Sequence, residues 1–258
     1  MRRRGAAAIA MGLAMLAGLA APAVRAADLP APTLRMVYTD SMPPVGYREQ
    51  GQMRGAWVAV MDELSHRLKL PVQHQGYPWA RAQVMVSTGA ADGMITVASP
   101  ERLRYAVAGK ESVLENDTRI YAHKSNARLE ELAAVQQIGD LRNFRVISYL
   151  GNNWLKSRLA DSNKVRWLRT LDDAVRAVLL EENAVLVEGE RLLLPVLRRR
   201  QLEEEFVAVG PVLERTSARL LIGRQSPYAA RMAEFDKALA AMRRDGTLKQ
   251  ILARYDMD

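Results

Sequence analysis

The sequence predicts an α/β fold, and three features of the chain indicate that class. Short apolar runs alternate with segments in which apolar residues recur at helical spacing. One run, at 93–98, is short, apolar and rich in β-branched residues, which is typical of a strand buried on both faces of a parallel sheet. The chain of 258 residues has no internal repeat or low-complexity segment, so it can form two units of roughly a hundred residues each.

The first 26 residues have the pattern of a cleaved secretory signal peptide. Three arginines at 2–4 precede an apolar run at 6–21. The small residues at 24 and 26 then predict a cleavage site at Ala27. A membrane anchor is disfavoured because the run is short and rich in alanine. No later segment approaches the length of a membrane span. The mature protein is therefore expected to be exported and soluble.

Cysteine and charge narrow the function further. The chain has no cysteine, which excludes disulfides, thiolate chemistry and cysteine metal sites. It also offers no acceptor for a lipid anchor, and an untethered exported protein indicates the Gram-negative periplasm. Removing the four arginines of the signal peptide lowers the net charge from +8 to +4. The basic run at 198–200 is followed by glutamates at 203–205, so it fits a helix end better than a nucleic-acid contact.

The elements of the first part follow from local patterns. A strand at 34–39 precedes two prolines and a turn at 50–52, and Trp57, Met61, Leu64 and Leu68 form one face of a helix. A strand at 72–77, a helix at 79–88 and the buried strand at 93–98 come next. Ser99 and Pro100 then predict the N-cap and first residue of a further helix.

Strands and helices continue to alternate in the rest of the chain. Strands are predicted at 118–123, 144–149, 184–187, 207–210 and 220–223. Helices are predicted at 154–159, from the cap Thr170 to about 182, from Glu188 onward, from Met232 to near Gly246, and over the last residues around Ile251.

Four motifs in order carry a resemblance to a known family. They are Leu-Arg-Met-Val-Tyr-Thr-Asp at 34–40 with prolines 43 and 44, Gly-Ala-Ala-Asp-Gly-Met-Ile at 89–95 with Pro-Glu-Arg at 100–102, Phe-Asp-Lys-Ala-Leu at 235–239, and Asp-Gly-Thr-Leu at 245–248. Over about 34–255 the chain resembles the bacterial periplasmic solute-binding proteins of family 3, which commonly serve polar amino acid ABC importers. The resemblance implies a two-lobed type II periplasmic-binding-protein-like fold with a central ligand cleft and two crossover segments. Lobe 1 would be 32–115 plus 217–258, and lobe 2 would be 116–216.

Two charged residues are the main binding candidates. In this family, an arginine at the position matching Arg102 grips the ligand's α-carboxylate, and an acid at the position matching Glu188, usually aspartate, holds the α-ammonium. A guanidinium beside the free N–H groups of a helix N-terminus is itself a natural carboxylate site. Two plainer interpretations stay open. Arg102 would pair with a nearby acid, or Glu188 would simply open a surface helix.

Six further residues are weaker candidates for the cleft. Thr96 would offer a hydroxyl beside Arg102, and Trp79 would form a wall or belong to the core. Asp40 and Tyr47 would face the cleft or its rim, or else cap a turn or cover the core. The resemblance places Asn153 and Trp154 where the second lobe presents backbone N–H groups. The chain departs from the family pattern at Val45, at Gly-Ala-Trp 55–57 and at Gly-Asn-Asn 151–153, which leaves the ligand's identity open.

These observations predict a non-enzymatic binding protein. It would capture a small carboxylated solute, an amino acid or a relative, and pass it as a monomer to an ABC permease in the inner membrane. The histidines at 66, 74 and 123 lack metal-ligand spacing, and no nucleophile elbow, Walker loop or dinucleotide fingerprint occurs, so neither metal, cofactor nor catalytic residue is expected. The alternative is a periplasmic dehydratase-like enzyme with Glu188 as its acid. A sensor module of a membrane kinase is disfavoured because the sequence has no membrane span or kinase segment.

Overall fold

The computed structural model describes residues 33–159 and 164–258. The predicted signal peptide and its cleavage site lie outside these residues. Within the two described ranges, no helix combines the length and hydropathy that crossing a membrane requires.

The described residues form eleven strands and nine α-helices. The strands are β1 (Leu34–Thr39), β2 (Ser41–Met42), β3 (Gly46–Glu49), β4 (Gln52–Arg54), β5 (Val72–Tyr77), β6 (Gly93–Val97), β7 (Ala106–His123), β8 (Arg145–Tyr149), β9 (Val165–Leu168), β10 (Ala184–Gly189) and β11 (Phe206–Gly223). The helices are α1 (Ala56–Leu68), α2 (Trp79–Ser87), α3 (Pro100–Tyr105), α4 (Leu129–Ala133), α5 (Asn153–Arg158), α6 (Leu171–Leu180), α7 (Glu190–Arg200), α8 (Met232–Arg244) and α9 (Thr247–Ala253). Single turns of 3₁₀ helix lie at Ile138–Asn143, Glu203–Glu205 and Ala229–Arg231.

One mixed sheet of eight strands organises the fold. Its strand order is β5-β1-β6-β11-β7-β10-β8-β9, and β2, β3 and β4 form a separate small sheet. The strands β7 and β11 each have 18 residues, pair antiparallel and lie at the centre. They join a first half, made of β5, β1 and β6, to a second half, made of β10, β8 and β9. Outside this central pair, β1 is parallel to β5 and β6, and β8 is parallel to β9 and β10.

Each half of the sheet has its own hydrophobic cores. In the first half, α1, α8 and α9 bury residues such as Leu64, Phe235 and Ile251 against Met36 of β1. In the second half, Val146 and Val185 pack against α4 and α5 on one face of the sheet, and Ile147 and Leu186 pack against α6 and α7 on the other. Burying one such side chain contributes roughly 1.5–3 kcal/mol. Each half is therefore stabilised largely by itself, which leaves the region between them free to hold a site.

Helix caps place two elements as the sequence predicts. The Ser99 hydroxyl accepts a hydrogen bond from the Arg102 amide at 3.4 Å, and Pro100 follows as the first residue of α3. The Thr170 hydroxyl accepts from the Asp173 amide at 3.0 Å and begins α6. The basic run at 198–200 forms the last turn of α7, as its charge relative to the helix dipole favours.

Three predicted strands are parts of longer strands, and one predicted helix start is wrong. The strand predicted at 118–123 is only the end of β7, and the strands predicted at 207–210 and 220–223 are the two ends of β11. The middles of these strands carry residues such as Asp117 and Arg215, whose polarity hides the strand pattern. Glu188 does not open a helix. It lies in β10 opposite Arg119 of β7, and α7 begins at Glu190.

The predicted crossover segments pair with each other within these long strands. Ser217 lies opposite Glu115, Thr216 opposite Asn116, and Arg215 opposite Asp117. Arg215 also forms an ion pair with Asp117 at 2.7 Å, and the Ser217 hydroxyl donates to Glu115 at 2.7 Å. The lobe boundaries at 115/116 and 216/217 stay a prediction, and they fall at this pairing.

Candidate functional site

A cavity of about 100 Å³ lies between the two halves of the sheet. Its walls come from β1, β2, β6, β7, β8, β10 and β11, together with α1, α2, α3, α5 and α7. Five of the eight predicted binding residues line it, namely Trp79, Thr96, Arg102, Trp154 and Glu188. The strand order explains why residues almost a hundred positions apart meet here, because β7 and β11 bring both halves to one place.

Arg102 is held at the cavity by neutral partners from three elements. Its Nε donates to Gln83 Oε1 at 3.0 Å, and its Nη1 donates to the carbonyl of Val97 at 3.0 Å. Its Nη2 donates to the carbonyl of Gly151 at 3.4 Å, and the guanidinium lies 5.6 Å from the ring centre of Trp79. These contacts orient the group, but they use three of its five N–H donors.

The charge of Arg102 has no carboxylate partner among the described residues. The side chain is 2% exposed and forms no ion pair with a described acid. Burial therefore lowers its pKa from the ordinary value, partly offset by Tyr105 and Tyr149. A buried guanidinium costs several kcal/mol of desolvation when its charge is not matched. No described acid thus forms an ion pair with Arg102, and an anion entering the cavity would supply the missing charge.

Glu188 is a second buried charge site in the same cavity. One carboxylate oxygen accepts from the Gly189 amide at 2.8 Å, whereas Oε2 has no hydrogen-bond partner among the described residues. Burial raises the pKa of Glu188 from 4.5 to about 7, although the Gly189 amide and the Tyr149 hydroxyl oppose the rise. The group therefore needs either a proton or a cation, and an ammonium group would supply one.

The two charges do not neutralise each other. Arg102 and Glu188 form no salt bridge, although both line the same cavity. Tyr149 of β8 lies near both, since Glu188 and Arg102 each influence its pKa, which burial raises well above the ordinary value. A guest that carries a carboxylate at one end and an ammonium at the other would match this arrangement.

The remaining wall residues have mixed roles. Thr96 lies on β6 opposite Arg219 of β11, close to Arg102 in the chain. The Trp154 Nε1 donates to Glu214 at 3.3 Å, and its ring lies 4.4 Å below the guanidinium of Arg158. Trp154 therefore turns its polar edge to an ion pair and an apolar face to the cavity.

Three predicted residues do not line the cavity. Asp40 directly follows β1, and its amide donates to the Tyr77 carbonyl at 3.2 Å. Tyr47 pairs with Ser41 in the small sheet and is half-buried there. Asn153 lies in an adjacent groove with Gln83 and donates to Gln83 Oε1 at 3.3 Å. The first turn of α5 thus contacts α2 with Asn153 and the cavity with Trp154.

Sequence reasoning missed several residues that build the site. Gln83 of α2 is 5% exposed, accepts from Arg102, and donates to the Gly151 carbonyl at 3.1 Å. Gly151 has φ +88°, and a Cβ there would lie 2.7 Å from Trp79 Cδ1. Only glycine fits this close approach at that backbone angle. The sequence signal for this contact was weak, because it consisted only of a polar residue, Gln83, within a predicted helix.

The histidines make contacts of other kinds. His74 lies between the Tyr38 hydroxyl at 2.8 Å and Asp62 at 2.9 Å, and His123 contacts Ser125 and Glu205. Among residues 33–159 and 164–258, no cluster of three or more histidine, aspartate or glutamate side chains is placed to hold a metal ion.

Comparison with known proteins identifies the family of the chain and solved structures of the same fold. Residues 34–257 match the sequence profile of the bacterial extracellular solute-binding proteins, family 3. No curated protein matches the chain.

Solved structures share the fold at low sequence identity. A histidine kinase sensor domain with similarity to periplasmic binding proteins has a TM-score of 0.73 at 17% identity, covering 87% of this chain and 96% of its own. The arginine-, lysine-, histidine-binding protein ArtJ from Geobacillus stearothermophilus has a TM-score of 0.71 at 12% identity, with 87% and 95% covered. The ancestral amino acid-binding protein AncCDT-1, a precursor of cyclohexadienyl dehydratase, has a TM-score of 0.68 at 18% identity, with 86% and 95% covered. The chain therefore has the periplasmic-binding-protein-like fold.

Proposed function

Because the chain belongs to the family 3 bacterial extracellular solute-binding proteins, we propose that it captures an amino acid or a related carboxylated solute. It works in the periplasm after export and delivers the solute, as a monomer, to an ABC permease in the inner membrane. One observation carries the proposal. Within the part of the chain that the structure describes, Arg102 is buried at the cavity without an ion-pair partner, and Glu188 of the same cavity leaves one oxygen without a hydrogen bond.

The energetics support a zwitterionic ligand. Each charge-assisted hydrogen bond contributes roughly 1.5–3 kcal/mol net, so contacts at Arg102 and Glu188 together supply about 3–6 kcal/mol. A micromolar site needs about 8 kcal/mol. The remainder would come from burial of the ligand against the apolar wall and from preorganisation of Arg102 by Gln83 and the Val97 carbonyl.

Closure of two lobes around the ligand would expose a shape that the permease recognises. The proposed lobes, 32–115 plus 217–258 and 116–216, meet where the crossover segments pair. Two contacts across the proposed cleft support a closed arrangement. Gln83 donates to the Gly151 carbonyl at 3.1 Å, and Arg199 donates to the Pro43 carbonyl at 2.9 Å.

The direct test is calorimetry of the purified protein against amino acids and small organic acids. Arg102→Ala should weaken binding at least tenfold, because it removes the charge-assisted contacts to the carboxylate. Arg104→Ala is the matched control, since Arg104 lies two residues further along the same helix and is exposed. Equal affinities of the two variants would contradict the proposal.

A dehydratase-like enzyme is the second candidate. It is favoured by Glu188, whose burial raises its pKa to about 7 and so suits a general acid. The test is to incubate the protein with prephenate- and arogenate-like acids and to follow product over many equivalents. Multiple turnovers that Glu188→Gln abolishes would favour the enzyme, whereas capture of one equivalent without product favours the binding protein.

A further inference from the structure

The wall of the cavity carries one positive and one negative side chain. Among the described residues that line it, Arg102 and Glu188 are the charged ones. If both are engaged by the α-carboxylate and α-ammonium of an amino acid, as proposed above, no charged group of the wall remains for the ligand's side chain.

Charged residues just behind the wall are already paired. Glu214, which Trp154 contacts, binds Arg158 at 2.6 Å. Glu190, which follows the strand that carries Glu188, lies 3.5 Å from Arg119. Because both carboxylates are already in ion pairs, we expect neither to bind a cationic side chain of the ligand.

The rest of the wall is apolar or carries neutral polar groups. Apolar side chains from both halves of the sheet face the same space, namely Met42, Val45, Trp57, Ile95, Leu114 and Leu192. Threonines 39, 96, 118 and 216 also line this space. The side-chain oxygens of two asparagines in the wall are bonded within the fold. Asn116 Oδ1 accepts from the Arg191 amide at 2.9 Å, and Asn152 Oδ1 accepts from the Leu155 amide at 3.2 Å.

The cavity has room for a small ligand. Its volume of about 100 Å³ is several times the roughly 10–15 Å³ that one water molecule needs.

We infer that the ligand is an α-amino acid with an uncharged side chain. This inference rests on the proposed function and narrows it to a substrate class. A lysine- or glutamate-like side chain would lose its hydration on entering the cavity and would find no further charged partner among the described wall residues, a cost that the neutral wall does not offset. The wall thus selects against a charged side chain.

Two ligand pairs of almost equal size test the inference by calorimetry. Norleucine is lysine without the side-chain ammonium, and glutamine is glutamate with a neutral amide. We expect norleucine to bind at least tenfold more tightly than lysine, and glutamine at least tenfold more tightly than glutamate. Equal or tighter binding of the charged member in both pairs would overturn the inference and leave the proposed function intact. Absence of binding by aliphatic, amide and charged amino acids alike would overturn the proposed function itself.

A designed charge in the wall provides the second measurement. Leu192 of α7 lines the cavity and is half-buried, whereas Leu194 of the same helix lines a different surface groove. Leu192→Glu should shift the ratio of lysine to norleucine affinity toward lysine by at least tenfold. Leu194→Glu should leave that ratio unchanged. An equal shift in both variants would overturn the assignment of this wall to the ligand's side chain.

Discussion

Two buried carboxylates of this protein show opposite behaviour. Asp92 is 3% exposed and accepts hydrogen bonds from the Arg35 amide, the Arg35 side chain and the Ser226 hydroxyl at 2.8–3.1 Å. Burial alone would raise its pKa, but these bonds outweigh burial and hold the pKa below its ordinary value. Glu188 is 8% exposed, and burial outweighs the Gly189 amide and the Tyr149 hydroxyl, which both favour its charged form, so its pKa rises to about 7.

The difference separates a structural carboxylate from a binding one. Asp92 is satisfied by residues of the fold and ties β1 to the strand β6 that leads to the site. Glu188, like Arg102, lies at the cavity without an ion-pair partner among the described residues. A group that the protein buries but does not satisfy is expected where a ligand completes it.

The largest expected effect concerns the stability of the ligand-free protein against pH. The folded pKa of Glu188, about 7, lies above its ordinary value of 4.5. The folded state therefore holds this proton more tightly than the unfolded state does. The resulting stabilisation is complete below pH 4.5 and is lost as the pH rises through 7. It is on the order of 3 kcal/mol.

Denaturant unfolding from pH 4 to 8 measures this contribution. The free energy of unfolding of the wild type should fall relative to that of Glu188→Gln across the window, since the variant has no proton to lose. Parallel curves for the two proteins would show that Glu188 titrates normally and would remove the contrast with Asp92.

Ligand affinity should depend on pH in the opposite direction. An ammonium group needs ionised Glu188, so binding weakens about tenfold for each pH unit below 7 and by roughly a hundredfold between pH 8 and pH 5. Tyr149 and Tyr121, which lie near Glu188, do not titrate in this range because burial raises the pKa of both above 10. Calorimetry with an amino acid that binds measures how affinity changes with pH. An affinity that stays the same from pH 8 to pH 5 would contradict this prediction.

The same substitution at the two carboxylates should have different consequences. At pH 8, Glu188→Gln should weaken amino-acid binding at least tenfold without lowering the free energy of unfolding. Asp92→Asn should lower that free energy by about 1–2 kcal/mol, through loss of the bonds from partly exposed Arg35, and leave affinity within about twofold. Chemical denaturation measures the free energy of unfolding of both variants, and calorimetry measures their affinity for the amino acid. Similar profiles would mean that the two carboxylates do not differ in role.

A smaller effect is expected at the contact between α2 and Gly151. Gly151→Ala would place a Cβ 2.7 Å from Trp79 Cδ1 at φ +88° and so disfavour this approach. Because the Gly151 carbonyl accepts from both Gln83 and Arg102, affinity should fall several-fold. Gly246→Ala is the control, since Gly246 also has positive φ but its Cβ would meet nothing within 4 Å. An equal loss of affinity in both variants would argue for a general strain effect.

Local patterns predicted most of the elements. The first strand, the cap at Ser99 and the α6 cap at Thr170 each depend on a few neighbouring residues, and all three are present. The long strands β7 and β11 were predicted only at their ends. Their middles pair with each other and mix buried polar residues such as Asn116 and Thr216 with apolar ones, so the sequence does not show a strand period there.

The sequence by itself determined the α/β class, the family and the candidacy of Arg102 and Glu188, because these rest on short motifs and on residue chemistry. Tertiary structure alone decided that Glu188 ends a buried strand, that Gln83 and Gly151 hold Arg102, and that Asp40, Tyr47 and Asn153 lie outside the cavity wall. The reason is physical. Whether a charge is satisfied depends on which distant groups the sheet brings within hydrogen-bond reach, and that distance is not encoded in any single stretch of the chain.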